Sequence, residues 1–150
     1  MGKLSVIKLE LHRPVAIKHP ITSGFGKIRI INGEANIHKG IDFGCPEGTE
    51  VRCMADGVVF KTGWEVQPDN DPFYKKKGLG LRVWQEFIFN GKTYYGWYGH
   101  LSQVFVDDGF PLAVGDLIGL SGNTGRSTGP HLHVQFREKN TGTYFDAEFH

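Results

Sequence analysis

Leu81-Arg82-Val83-Trp84-Gln85-Glu86-Phe87-Ile88-Phe89, then Asn90-Gly91, then Lys92-Thr93-Tyr94-Tyr95-Gly96-Trp97-Tyr98, reads as two strands around a tight turn. Asn-Gly between alternating runs is the strongest short-range hairpin cue, because both residues accept the positive φ of a type I′ turn. A two-residue loop sets the register, so Phe89 should face Lys92, Phe87 should face Tyr94 and Val83 should face Tyr98. Extending the same ladder puts His100 opposite Leu81 at the far end of the hairpin.

Outward from the hairpin the apolar period stays at two. In Ile7-Lys8-Leu9-Glu10-Leu11 the apolar residues are the odd ones, and Val51 to Lys61 reads as strand, a turn at Ala55-Asp56-Gly57, and a second strand through Val58-Val59-Phe60. Only Ser102 to Asp107 reads as a helical turn. Trp64 to Lys77, with Pro68, Asp69, Asn70, Asp71, Pro72 and the run Lys75-Lys76-Lys77, reads as an exposed loop. Its lysines suit a solvated tip, or else contact with an anionic surface. Glycine supplies 21 of 150 residues, about twice the usual ~7% share, which calls for many turns between short strands. No repeat or linker divides the chain. Residues 1–150 are therefore expected to form a single all-β domain of antiparallel strands, a sandwich or partly open barrel.

A formal charge of +1 excludes a strongly basic nucleic-acid binder and an acidic tail protein. At 39% hydrophobic and 13% aromatic the chain can fill a core. No apolar run approaches the ~18 residues of a membrane span. Lys8 and Glu10 interrupt the first apolar run, so no signal peptide is read there. The chain is expected to be made in the cytoplasm, or to be a piece of something longer. Cys45 and Cys53 read as two small buried thiols, with a bridge closing a short turn as the alternative.

Seven histidines in 150 residues matter because of where four of them fall. In His131-Leu132-His133-Val134-Gln135-Phe136 the alternation is strict. His131, His133 and Gln135 point one way, and Leu132, Val134 and Phe136 point into the core. Two imidazoles on one strand face lie roughly 7 Å apart at Cα, which suits one metal-bound ring beside one free ring. His38-Lys39-Gly40-Ile41-Asp42 has helical spacing, but Gly40 and Gly44 argue for a loop running into a strand, which also keeps His38 and Asp42 on one side. Tyr98-Gly99-His100-Leu101-Ser102 sets a histidine at a strand end beside a glycine that permits close approach. Two imidazoles and one carboxylate would make a three-ligand site with an open position, the ligand count of catalytic zinc. Further histidines would serve as proton carriers. Spacing alone does not bring the two clusters together, and a lone His-x-His is a weak signal. His12, His19 and His150 read as surface residues.

His38-Lys39-Gly40-Ile41-Asp42-Phe43, Tyr98-Gly99-His100-Leu101-Ser102, and Ser121-Gly122-Asn123-Thr124-Gly125 running into Gly129-Pro130-His131-Leu132-His133 resemble the signatures of lysostaphin-type (LytM-like) zinc metallopeptidases. The likeness extends to Thr22-Ser23-Gly24-Phe25-Gly26, Pro46-Glu47-Gly48-Thr49 and Ala55-Asp56-Gly57, and spans roughly residues 20–137 in family order. Several ordered motifs are far more specific than any one of them.

The resemblance implies an antiparallel β fold with a groove over one Zn2+ held by His38, Asp42 and His133. His100 and His131 would be catalytic residues that do not bind the metal. It implies hydrolysis of peptide bonds in bacterial peptidoglycan cross-links, with no nucleic-acid or membrane partner, by a chain compatible with a monomer. Without a leader, the expectation is a phage lytic or virion-associated enzyme that meets the wall after release or in a virion, or else a domain of a larger secreted protein. The rival expectation is a non-catalytic zinc-containing module that grips peptidoglycan or builds a virion. Tyr94, Tyr95, Trp97 and Tyr98 are expected to pack in the core or on a sheet face, with groove lining as the alternative. The Trp64–Lys77 loop is expected to stand at one wall of the groove.

Overall fold

The computed structural model describes residues 3–150. In chain order the strands are β1 (Leu4–Leu11), β2 (Ile21–Ser23), β3 (Ile28–Ile31), β4 (Glu34–Ile37), β5 (Gly40–Phe43), β6 (Glu50–Arg52), β7 (Gly57–Trp64), β8 (Leu81–Phe89), β9 (Lys92–Val104), β10 (Pro111–Leu112), β11 (Leu117–Ser121), β12 (Leu132–Glu138) and β13 (Tyr144–Phe149). Among the described residues the one helical element is a 3-10 turn at Tyr74–Lys76. The main sheet runs β1-β13-β12-β9-β8-β7-β10, with β5 and β2 added beside β12, and β11 and β6 added beside β9. It does not close into a barrel. The all-β expectation holds, with one difference: β1 and β13 pair in parallel. Strands β3 and β4 form a separate hairpin.

The β8–β9 hairpin has the expected register, with Phe89 opposite Lys92, Phe87 opposite Tyr94 and Val83 opposite Tyr98. Asn90 and Gly91 have φ of 48° and 78°, as a type I′ turn requires. At its far end the register departs from expectation. The ladder slips between Leu81 and Val83, so Leu81 faces Leu101 rather than His100. His100 takes a left-handed φ of 61°, and its N–H donates to the Leu79 carbonyl at 2.6 Å. One extra residue in β9 is absorbed there as a bulge, which re-aims the side chain.

Ser102 to Asp107 is not a helical turn. Strand β9 runs on to Val104, with Val104 opposite Gly119 and Gln103 opposite Leu120 on β11. A partner strand from a distant part of the chain supplies the ladder that local propensity did not announce. The segments around Ala55-Asp56-Gly57 are strands, as read, but β6 pairs with β11 and β7 with β8.

The core lies under one face of the sheet. Phe43, Val83, Tyr98, Leu101, Ile118, Leu132, Val134 and Phe136 are fully buried there. Tyr94 joins this core, whereas Tyr95 and Trp97 pack on the other face of β9, so all four aromatics are buried in packing roles. Cys45 and Cys53 are separate buried thiols. The Trp64–Lys77 loop is largely exposed, yet it docks: Tyr74 meets Trp64 edge-on at 5.2 Å, and the Lys75 carbonyl accepts the Gly125 N–H at 2.7 Å.

Candidate metal centre

Strand β12 lies between β5 and β9. Its alternation sends Leu132, Val134 and Phe136 into the core and leaves His133 and Gln135 on the opposite face. The β5–β12 register sets His133 directly across from Asp42, and on the other side His133 faces Gly99. Directly opposed side chains share a face, so the ladder itself joins segments 91 residues apart. Gly40 makes room for this: a Cβ there would meet the His133 ring at 2.5 Å and collide with the Val134 carbonyl.

His38 precedes β5 and is held by its own backbone, donating to the Lys27 carbonyl at 2.8 Å and accepting from Gly26 at 2.7 Å. His131 follows the turn-rich loop and bridges to Gly122. All five residues named from the sequence thus converge on one cleft of about 970 Å³. One of its walls carries Gly78 and Leu79, just beyond the Trp64–Lys77 loop rather than within it, and another carries the β3–β4 hairpin.

Three donor atoms form a tight triangle. His38 Nε2 lies 3.5 Å from Asp42 Oδ1 and 3.4 Å from His133 Nδ1, and His133 Nδ1 lies 2.7 Å from Asp42 Oδ1. Ligand atoms at zinc bond lengths on a tetrahedral ion would sit about 3.3 Å apart. Two sides of the triangle match, and the third is closed to hydrogen-bond length.

The outer atoms of each group are occupied, which decides where the inner ones point. His38 Nδ1–H donates to the Gly24 carbonyl at 3.0 Å, leaving Nε2 as a lone pair. His133 Nε2–H donates to Gln135 Oε1 at 2.8 Å, leaving Nδ1 as a lone pair. Arg29 donates to Asp42 Oδ2 at 2.8 Å, leaving Oδ1 free. An imidazole lone pair 2.7 Å from a carboxylate oxygen needs a cation between them, a bridging proton or a metal ion. The residues therefore fit a divalent ion, with the outer partners that orient metal ligands already in place. Burial pushes the Asp42 carboxyl up, but hydrogen bonds to His133 and His38, the charge of His133 and the Arg29 contact outweigh it and hold the group well below the usual carboxylate range.

His100 and His131 stand beside the triangle, their rings 4.7 Å apart. His131 Nε2 is 3.8 Å from Asp42 Oδ1. His100 Nδ1–H donates to the Thr124 carbonyl at 2.6 Å, and His131 Nδ1–H to the Gly129 carbonyl at 2.8 Å. Carbonyls only accept, so each neutral ring keeps its proton on Nδ1 and a lone pair on Nε2. Burial is the main cause that pushes His100 down to about 4, so it is neutral at ordinary pH.

Sequence reasoning did not assign Arg29, Ser23, Gln135 or the Thr124 carbonyl. Gln135 carried a signal, since it shares the histidine face. Arg29, which also donates to Ser23 Oγ at 2.5 Å, carried none.

The profile of Peptidase family M23 matches residues 36–146. The chain belongs to this family. Over 124 residues it is 40% identical to the peptidoglycan DD-endopeptidase ShyA of Vibrio cholerae, covering 81% of this chain and 26% of that protein. The catalytic domain of the antimicrobial peptidase lysostaphin from Staphylococcus simulans superposes with a TM-score of 0.68 at 31% identity, covering 86% of this chain and 89% of that one. The catalytic domain of the prophage-encoded M23 protein EnpA from Enterococcus faecalis gives a TM-score of 0.70 at 26% identity, covering 90% and 93%. The chain spans about a fifth to a third of the length of the first curated relatives it matches. The M23 assignment agrees with the resemblance read from the motifs and with a donor triangle that could hold a metal ion.

Proposed function

We propose that this chain is a zinc-dependent endopeptidase that hydrolyses peptide bonds in the cross-links of bacterial peptidoglycan. The observation that carries the reading is the convergence of His38, Asp42 and His133, with their outer atoms tied down, beside two further histidines that keep free Nε2 lone pairs. His38 Nε2, Asp42 Oδ1 and His133 Nδ1 would hold the ion. Bound there, zinc supplies Lewis acidity to the scissile carbonyl and lowers the pKa of a water toward ~7.

The remaining steps belong to the chain's own residues. Neutral His100 offers a lone pair, so it starts as a proton acceptor and not as an oxyanion donor, and His131 stands beside it, aimed by the same kind of bond. Having taken the proton of the attacking water, the histidine pair holds it on Nε2, facing the reacting atoms. From there it can donate to the oxyanion and then to the leaving amine. The Thr124 and Gly129 carbonyls keep both rings aimed throughout.

Similarity to ShyA supports a peptidoglycan substrate, and similarity to EnpA supports a phage lytic or virion-associated setting. In that setting the enzyme reaches the wall after release or in the virion. The test is release of new amino groups from purified peptidoglycan by zinc-loaded protein, abolished by a chelator and restored by zinc. Binding without release overturns the reading in favour of a non-catalytic module. Mass analysis of the released muropeptides identifies the cross-link that is cut.

A further inference from the structure

Beyond the metal centre the outer face of the sheet is organised in rows. His133 lies across from Asp42 and Gly99, Gln135 across from Gly40 and Trp97, and Arg137 across from Tyr95 and Tyr144. Successive rows on one face are about 6.7 Å apart, so Arg137 stands roughly 13 Å along β12 from His133.

Three cations gather at this end of the face, and Lys139, over the Tyr95 ring at 5.8 Å, is the one already paired with a carboxylate. The Arg137 guanidinium lies over the Trp97 ring at 5.3 Å and the Tyr95 ring at 5.9 Å. Lys39, which lines the cleft next to His38, has its ammonium 4.9 Å from the centre of the Tyr144 ring. Among the described residues neither Arg137 nor Lys39 makes a salt bridge: Glu86, in the Arg137 row, is taken by Lys139 at 3.5 Å, and Asp146, further along β13, by Lys8 at 3.7 Å. Stacking on rings fixes a cation in place without using its N–H donors, so both remain available to an anion.

We infer that Lys39, at the edge of the cleft, and Arg137, beyond its lining on the same sheet face, form a carboxylate-binding subsite that continues the cleft along β12 and takes an acidic group of the peptide substrate about four residues from the cleaved bond, at strand rise per residue. The inference rests on the peptidase reading above and deepens it. It predicts a preference for a substrate peptide that carries a carboxylate, set by two residues that touch neither the metal ligands' donor atoms nor the reacting bond. A guanidinium already ordered on an aromatic pedestal loses little freedom on binding and can meet a carboxylate with two parallel hydrogen bonds.

The experiment uses two synthetic cross-linked stem peptides that differ only in carrying a free carboxylate or a carboxamide at that distance. Wild-type enzyme should cleave the free acid with kcat/KM about tenfold higher, mostly through KM. In Arg137→Gln the ratio between the two substrates should fall to within about twofold of one, whereas Arg137→Lys should keep part of it. Lys39→Gln gives the same comparison without disturbing the aromatic stack around Arg137, and should lower the ratio by about threefold. A wild-type ratio of one, or a ratio unchanged in both Gln variants, overturns the subsite while leaving the peptidase reading intact. Failure of the wild type to cut either peptide, or peptidoglycan itself, overturns both.

Discussion

The site has two halves built on different principles. Asp42 and His133 are borne by strands: they face each other across the β5–β12 ladder, and their neighbours Ile41, Phe43, Leu132 and Val134 are buried behind them. His38, His100 and His131 are borne by chain that leaves or bends out of the sheet. They are aimed by local hydrogen bonds at Nδ1, to the carbonyls of Gly24, Thr124 and Gly129, with the Ser23 and Ser127 hydroxyls also beside His38 and His131. In the first half the geometry is a by-product of the core, since shifting the register by one residue would turn His133 inward and Leu132 outward. In the second, geometry depends on a few local contacts. The strand half should therefore tolerate loss of a side chain without loss of fold, and in the loop half His100 and His131, which are not placed as ligands, should reveal themselves in chemistry more than in metal content.

The largest effect should come from the strand half. His133→Ala should remove zinc and activity together, with the rate falling by more than ~10⁴-fold, while the variant remains folded. Metal analysis of purified protein, with circular dichroism, checks this. A variant that loses activity but keeps stoichiometric zinc would break the assignment of His133 as a ligand. Next comes the loop half. His131→Ala and His100→Asn should each lose roughly 10²- to 10³-fold in rate, the scale of a general acid–base group, with zinc retained. Asparagine at 100 is chosen because it accepts the left-handed backbone found there. Full rate in the His131 variant would sink the proposed role.

The same division explains how much could be read in advance. The β8–β9 register follows from Asn90-Gly91, and the histidine face of β12 from strict alternation, because both are local patterns with a fixed period. His100 escaped that arithmetic, because the bulge that turns it to φ 61° answers to the Leu79 carbonyl, a partner outside the hairpin pairing. The stretch after His100 was misread for a related reason: its partner strand β11 begins at Leu117, and no local signal in Ser102–Asp107 announces it. Arg29 was invisible, since its contact with Asp42 depends on how the β3–β4 hairpin stands over the sheet. What the motifs carried was the list of five residues that line one cleft. Their meeting needed β5 and β12 to pair.

A smaller effect probes how closely that pairing is built. Gly40→Ala places a methyl group 2.5 Å from the His133 ring and against the Val134 carbonyl. The carbonyl cannot move without breaking the ladder, so the ring must shift. Zinc affinity should fall about tenfold, as when a metal ligand loses its orienting support. Stability should drop by about 1–3 kcal/mol from overpacking. Competition with a chromophoric chelator and a denaturant titration measure the two. Wild-type values for both would show that the glycine is not what lets His133 approach Asp42.

The smallest effect separates the halves by pH in the metal-free protein. His100 is pushed down to about 4 from an ordinary 6.5, so between those values the unfolded chain binds more protons than the folded one. Stability should therefore be full above pH 6.5 and decline as pH falls toward 4. Asp42 is held below its ordinary value, so its contribution is present above about 3.8, near the unperturbed carboxylate value, and is lost only on further acidification. His100 in the loop half should thus yield first and Asp42 in the strand half second. His100→Asn should flatten the decline between pH 6.5 and 4 and leave the steeper fall below 4 in place. Urea midpoints at pH 7, 5 and 3.5 for the two proteins supply the comparison. An unchanged slope in the variant would mean that the first acid step belongs to another group and that the two halves do not part company in this way.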